Sequence, residues 1–212
     1  MRPSLKFIFL SILGIGVLVG VFMFMWWMFQ QNATQTLQMT PLRASDQTFG
    51  NPNAKVVLLE YSDFQCPVCK QYEPILEQAH REYASSTLFA YRYFPLSQHT
   101  YALLAARSAE AAGMQGKFWD MAHALFANQE IWSASADAKP FFNGYARDIG
   151  LNMQKFEQDV ASAKVSDKVT LGLEAALHDG IPGTPTFFLN GSQIQFQSYE
   201  ELKKILDGAL AR

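Results

Sequence analysis

The sequence predicts an α/β domain held behind one apolar N-terminal helix. Three observations carry this reading. Residues Phe7 to Phe29 form a 23-residue run without a charge. The stretch from Lys55 to Phe94 reads as strand, helix, strand, and the chain closes on two short apolar runs and an amphipathic helix after a purely helical middle.

As a helix rising ~1.5 Å per residue, the run Phe7–Phe29 is about 35 Å long, enough to cross a bilayer. A cleavable leader has a shorter apolar region, roughly 7–15 residues, followed by a small-x-small site. Here the run ends in Trp26, Trp27, Met28 and Phe29, which suit a lipid–water interface, and QQNATQTLQMTPL offers only poor cleavage positions. The reading is an uncleaved signal anchor over 7–29. Arg2 and Lys6 precede the run and the first charge after it is Arg43, so residues 1–6 are expected in the cytoplasm and the remainder outside. Residues 30–45, rich in Gln, Thr and Asn, read as a polar tether to a domain over 46–212.

In that domain, Lys55–Tyr61 is nearly continuous in apolar residues, as in a strand buried on both faces. From Pro67 to about Tyr83, Val68, Tyr72, Ile75, Leu76 and Ala79 recur at helical spacing, with Pro67 suited to the first turn and Pro74 expected to kink the rod. Leu88–Phe94 reads as a second strand, whose parallel pairing with the first the intervening helix permits. A helical insert over about 99–180 follows: Tyr101–Ala112 ending at Gly113, Lys117–Asn128, Asn152–Ala163 and Val165–His178. Thr186–Leu189 and Ile194–Phe196, joined by Asn190-Gly191, read as an antiparallel pair, and Tyr199–Leu210 as the closing helix.

Charged residues are 17% and hydrophobic residues 49% of the chain, which excludes a disordered protein. The part beyond residue 30 holds 15 basic and 19 acidic residues with no basic cluster, so nucleic acid is not an expected partner. Two cysteines are too few for a disulfide-stapled scaffold, so their position decides their role.

Cys66-Pro67-Val68-Cys69 follows the first strand and opens the first helix. Cys66 is then at the helix N-terminus, where free N–H groups and the dipole favour a thiolate, and Cys69 lies one turn on along the same face. The pattern suits an exchange-active pair: Cys66 as nucleophile and leaving group, Cys69 as the resolving thiol. A zinc half-site, an inert disulfide and two buried thiols are the alternatives, although His80, His99, His123 and His178 show no pairing at ligand spacing.

At these residues the chain resembles the thioredoxin fold in its DsbA-like form. The resemblance runs over roughly Asp46 to Leu210 and is carried by GNPNAKVVLLEYSDFQCPVC, GKFWDMAHALF and IPGTPTFFLNG. It implies a cis-proline loop at Thr184-Pro185 beside the dithiol, with the Thr184 backbone pairing to substrate and its hydroxyl reaching Cys66. It also implies a buried acid at Glu60 that takes the proton of Cys69. DsbA-type oxidases often carry His where this chain has Val68, a residue with no donor for the thiolate. Phe64 and Val68 are expected as an apolar lip for unfolded substrates, with other aromatics in the core.

The resemblance implies an extracytoplasmic thiol–disulfide oxidoreductase in a bacterial cytoplasmic membrane, its catalytic domain facing the periplasm or exterior and donating disulfides to exported proteins. No metal or organic cofactor is expected. Its membrane partner would be a quinone-linked oxidase of the DsbB or vitamin K epoxide reductase kind. A reductase or isomerase fed from the cytoplasm is the first alternative, and a module holding Cu(I) between Cys66 and Cys69 the second.

Overall fold

In the computed structural model the described residues are 16, 18–27 and 41–212. The chain divides into two compact units, Met1–Thr36 and Leu37–Arg212. In the first, residues 18–27 are helical with large apolar side chains exposed, Leu18 at 71% and Trp26 at 60%. Among the described residues no helix is long and apolar enough to cross a membrane. The rest of the run 7–29, and the tether as far as residue 40, lie outside the described residues.

The second unit is a five-stranded sheet with helices on both faces. Its strands are β1 (Gln47–Gly50), β2 (Val56–Ser62), β3 (Thr87–Tyr93), β4 (Thr186–Leu189) and β5 (Ser192–Ile194), in the order β1-β3-β2-β4-β5. β2 and β3 run parallel, joined by helix α1 (Pro67–Tyr83), and the other neighbours are antiparallel. The continuous apolar run of β2 is explained by its central place, with strands on both sides and helices above and below.

The period of two assigns the faces. Leu58 and, from β3, Phe89 meet Leu76, Ala79 and Tyr83 of α1 and Leu202 and Leu206 of the last helix. Leu59, Tyr61 and Ala90 meet Ala176 and Ile181 on the opposite face. Glu60 therefore shares the α1 face with Leu58, and this alternation brings a carboxyl to the dithiol helix.

Between β3 and β4 lie α2 (Ala102–Gly113), α3 (Phe118–Ala127), α4 (Gln129–Ser133), α5 (Lys139–Asp148), α6 (Met153–Val160) and α7 (Ala163–His178); α8 (Tyr199–Leu210) ends the unit. Asn152, Ser162 and Ser198 cap α6, α7 and α8 through their side chains. Gly172 lies where α7 crosses β3: a Cβ there would sit 2.8 Å from the Tyr93 carbonyl oxygen. Lys168, Tyr93 and Gln47 converge on buried Glu110, joining α7, the sheet and α2.

Three expectations need correction. The strand β1 is absent from the sequence reading, because four largely exposed residues, QTFG, carry no period. Two helices, α4 and α5, fill a stretch left unassigned; Pro140 starts α5, and buried Trp132 and Phe142 pack edge to face. As expected, α2 ends at Gly113, and the turn that follows falls at Gly116, with φ at 75°. The last strand is Ser192–Ile194 rather than Ile194–Phe196, because the two-residue turn at Asn190 and Gly191, with φ of 47° and 85°, pairs Leu189 directly with Ser192.

Candidate active site

The end of β2 delivers the chain to α1 through Asp63-Phe64-Gln65. The Asp63 side chain accepts from Gln65 N at 2.7 Å and its backbone carbonyl from Cys66 N at 3.0 Å, a tight turn that leaves Cys66 at the N-cap with extended φ and ψ of −71° and 120°. Pro67 follows as the first helical residue, where its missing N–H costs nothing.

Two clamps hold this turn. Asp63 also accepts from Leu96 N at 2.9 Å and lies 2.6 Å from His99 Nδ1, while Gln65 accepts from Tyr101 N at 2.6 Å. From the other side Gln129 Nε2 donates to the carbonyls of Phe64 at 2.7 Å and Cys66 at 2.9 Å. Asp63, His99 and Gln129 were not identified from the sequence. Asp63 is detectable as a turn residue just before a helix; His99 and Gln129 have no local signal, since their partners lie 36 and 63 to 65 positions away.

Both cysteines are reduced thiols and nearly buried, Cys66 at 5% and Cys69 at 1% exposure, so Cys66 meets solvent through a narrower window than a helix end alone suggests. Their acidities diverge. The hydrogen bond from Cys69 lowers the Cys66 pKa most; burial opposes it, and the Thr184 side chain and the N–H groups of Cys69 and Val68 lower it further, to about 5. Burial foremost, then the bond to Cys66 and the charges of Glu60 and Cys66, push Cys69 well above the ordinary thiol value. Glu60 is pushed up to about 7 by burial, against the Ser62 hydroxyl and helped by the negative charge at Cys66.

The Thr184–Pro185 peptide is cis, and the Thr184 carbonyl lies 3.4 Å from Cys66 Sγ as acceptor of the thiol proton. With that proton in place the Thr184 hydroxyl is buried and makes no hydrogen bond; once the sulfur is ionised it is the donor on hand. Cys66, Cys69, Glu60, Pro67, Val68, Thr184 and Pro185 thus converge on one place. Val68 is 45% exposed beside the dithiol, consistent with a lip. Phe64 is not part of it: at 1% exposure it stacks on Tyr91 at 4.9 Å and meets Phe118 and Phe126, because the turn at Asp63 aims its ring into the core. A groove of about 500 Å³ lies alongside, lined by Gln65, Pro67, His99 and Gln129, with the Lys70–Glu130 pair at 2.7 Å across it.

The thioredoxin family profile matches residues 43–208. The chain belongs to the thioredoxin family. In this thioredoxin-family domain the dithiol opens α1 beside the cis Thr184–Pro185 peptide. Its fold is similar to that of oxidised BdbD from Bacillus subtilis, with a TM-score of 0.73 at 19% identity over 84% of this chain and 99% of that one. It is also similar to alpha-DsbA1 from Wolbachia pipientis, with a TM-score of 0.68 at 22% identity over 81% and 93%. Among curated proteins, a segment of the Na(+)/H(+) antiporter NhaA 1 of Mycolicibacterium vanbaalenii is 38% identical over 149 residues, 69% of this chain and 23% of that protein. The chain spans only about a quarter of the length of such relatives. Among the described residues the thioredoxin-type cysteines belong to no cluster of three metal-ligating side chains; Glu73, Glu77 and His123 do.

Proposed function

We propose that this domain, anchored in a bacterial cytoplasmic membrane by residues 7–29 and facing the exterior, donates its Cys66–Cys69 disulfide to exported proteins. The observation that carries the reading is the divergence between a Cys66 thiol at about 5 and a Cys69 thiol held well above its ordinary value. A substrate thiolate attacks Cys66 Sγ; the Cys66–Cys69 bond breaks, and Cys69 leaves with the electron pair and takes a proton from Glu60. A second substrate thiolate then attacks the substrate sulfur of the mixed disulfide, and Cys66 leaves as a stable thiolate. The product is a substrate disulfide and a reduced dithiol, which a membrane oxidase of the DsbB or vitamin K epoxide reductase kind reoxidises. A stabilised thiolate favours the reduced form and so makes the disulfide an oxidant.

The potential tests the direction. Equilibrated with glutathione, the domain should fall between about −270 mV and about −120 mV, since a thiol at about 5 lies between the thioredoxin and DsbA extremes. Val68→His, which adds a donor at an exposed position, should raise it further. A potential at or below the thioredoxin value, with the pair reduced in cells, would make the protein a reductase. Stoichiometric Cu(I) binding without exchange activity would favour the metal module instead.

The anchor is supported by the uncharged run and by the exposed apolar side chains of helical residues 18–27. The related segments in proteins named Na(+)/H(+) antiporters accord with a domain held at a membrane. Full-length protein should stay with membranes through carbonate extraction and keep its N-terminal residues. Recovery of a soluble form beginning near Thr34 would remove the anchor from the proposal.

A further inference from the structure

We propose that Gln129 is a positioning residue for thiol–disulfide exchange: from α4 its amide holds the backbone around Cys66, so that the ionised sulfur stays over the donors of the first turn of α1. The proposal rests on the reading of Cys66 as the exchange-active thiol.

Gln129 opens α4 and is buried, at 4% exposure. Its Nε2 carries two hydrogens and both are used, one on the Phe64 carbonyl at 2.7 Å and one on the Cys66 carbonyl at 2.9 Å. The pair fixes the amide, because the reverse orientation would set Oε1 against two carbonyl oxygens. Among the described residues Gln129 is the only donor to the Phe64 carbonyl, whereas the Cys66 carbonyl also accepts from Lys70 N at 3.2 Å as the helix begins. The mount is firm. Buried Trp132, three residues on, ties α4 to Leu125 O and packs against Phe142.

The held carbonyls act on the sulfur through one torsion. The ψ of Cys66, 120°, relates the direction of its carbonyl to that of its side chain. Asp63 fixes the other side of the residue, its carbonyl accepting from Cys66 N at 3.0 Å, and leaves ψ to Gln129 and the first helical hydrogen bond. Four groups stabilise the Cys66 thiolate, the Cys69 thiol foremost, then the Thr184 hydroxyl and the N–H groups of Cys69 and Val68. Three of the four belong to the first turn of α1, so a turn of ψ moves the sulfur away from them. The Lys70–Glu130 pair also joins α1 to α4, but the Glu130 side chain is 85% exposed and solvent screens it.

The effect is selective for redox state. In the disulfide, Cys66 Sγ is bonded to Cys69 and carries no charge, so it gains little from the grip. In the dithiol the thiolate depends on those donors. Loss of the amide therefore weakens the reduced form, which raises the Cys66 pKa and makes the disulfide less oxidising.

Thiolate-absorbance titration and glutathione equilibration of Gln129→Met test this, since methionine keeps the length and the apolar stem and removes both donors. Thiolate stabilisation should fall about tenfold: the Cys66 midpoint should rise by about one pH unit from about 5, and the potential should drop by about 30 mV, the tenfold equivalent for a two-electron couple. Gln129→Asn, one methylene shorter and able to reach one carbonyl at most, should shift both in the same direction and by less. Glu130→Gln, which breaks the exposed pair, should not reproduce the shift; an equal shift there would overturn the assignment to Gln129. Parent midpoint and potential in Gln129→Met, with a lower unfolding midpoint, would make Gln129 a packing residue and overturn the proposal. If that variant does not fold, Gln129→Asn with parent values overturns it. A parent Cys66 that titrates at the ordinary thiol value would instead remove the reading on which the proposal rests.

Discussion

Cys69→Ser should accumulate mixed disulfides with exported proteins through Cys66, whereas Cys66→Ser should trap almost none. With its pKa at about 5, Cys66 is roughly 99% thiolate at pH 7, while a thiol at the ordinary value of 9.0 is about 1% ionised. Ionisation alone therefore separates the two variants about a hundredfold, and Cys69, at 1% exposure, loses further to access. Serine at 69 still offers an O–H to the Cys66 sulfur, so the thiolate survives the substitution that removes its resolving partner. Catalytic exchange should fall at least about a hundredfold in both variants, and gel-shift detection of the adducts distinguishes why. Equal trapping by the two variants, or trapping only through Cys69, would contradict the assignment.

Glu60→Gln should stabilise the oxidised domain by up to about 3 kcal/mol at pH 8 and by almost nothing at pH 4, an upper bound because part of the Glu60 shift comes from the Cys66 charge that the disulfide removes. The carboxyl titrates at about 7 in the folded chain against 4.5 ordinarily, so between those values the folded protein holds a proton that the unfolded chain has lost. Stability linked to Glu60 is complete below about 4.5 and is lost as pH rises through about 7, after which the deficit is constant. Its size follows from 1.36 kcal/mol per pKa unit. Glutamine removes the titration and keeps the shape. Guanidinium unfolding of oxidised parent and variant across pH 4–9 reads the difference, and the oxidised state keeps the Cys66 thiolate out of the comparison. Parallel curves would mean that Glu60 titrates in the folded domain as it does in the unfolded chain, leaving it too weak a base to match the Cys69 thiol. The same variant should resolve mixed disulfides about a hundredfold more slowly at neutral pH.

Legibility follows the range of the interactions. β2, α1, β3 and α8 are readable because each is specified within its own residues: an apolar run, a 3.6-residue period, a proline at the first turn, a serine cap. β1 is held by pairing to β3 and by remote partners such as Glu110 and Trp119, and α4 by a buried Trp132 whose indole N–H donates to Leu125 O at 2.7 Å, so neither leaves a local pattern. Phe64, adjacent to the dithiol in sequence, reads as a lip residue; the turn that sends it inward is clamped by His99 and Gln129, each remote along the chain.

By itself the sequence determined the α/β class and the order of the two cysteines, Cys66 at the helix start and Cys69 one turn later, since these depend on residue type and spacing along one segment, whereas the Thr184-Pro185 loop as the third component was implied only by the resemblance to the DsbA-like form. Only the tertiary structure decided how far the two thiols diverge and that Glu60 is buried facing α1. The physical reason is that a pKa is set by what surrounds a group. For Glu60 those surroundings come from α1, β3 and α3, which are brought together by packing and not by proximity in the chain.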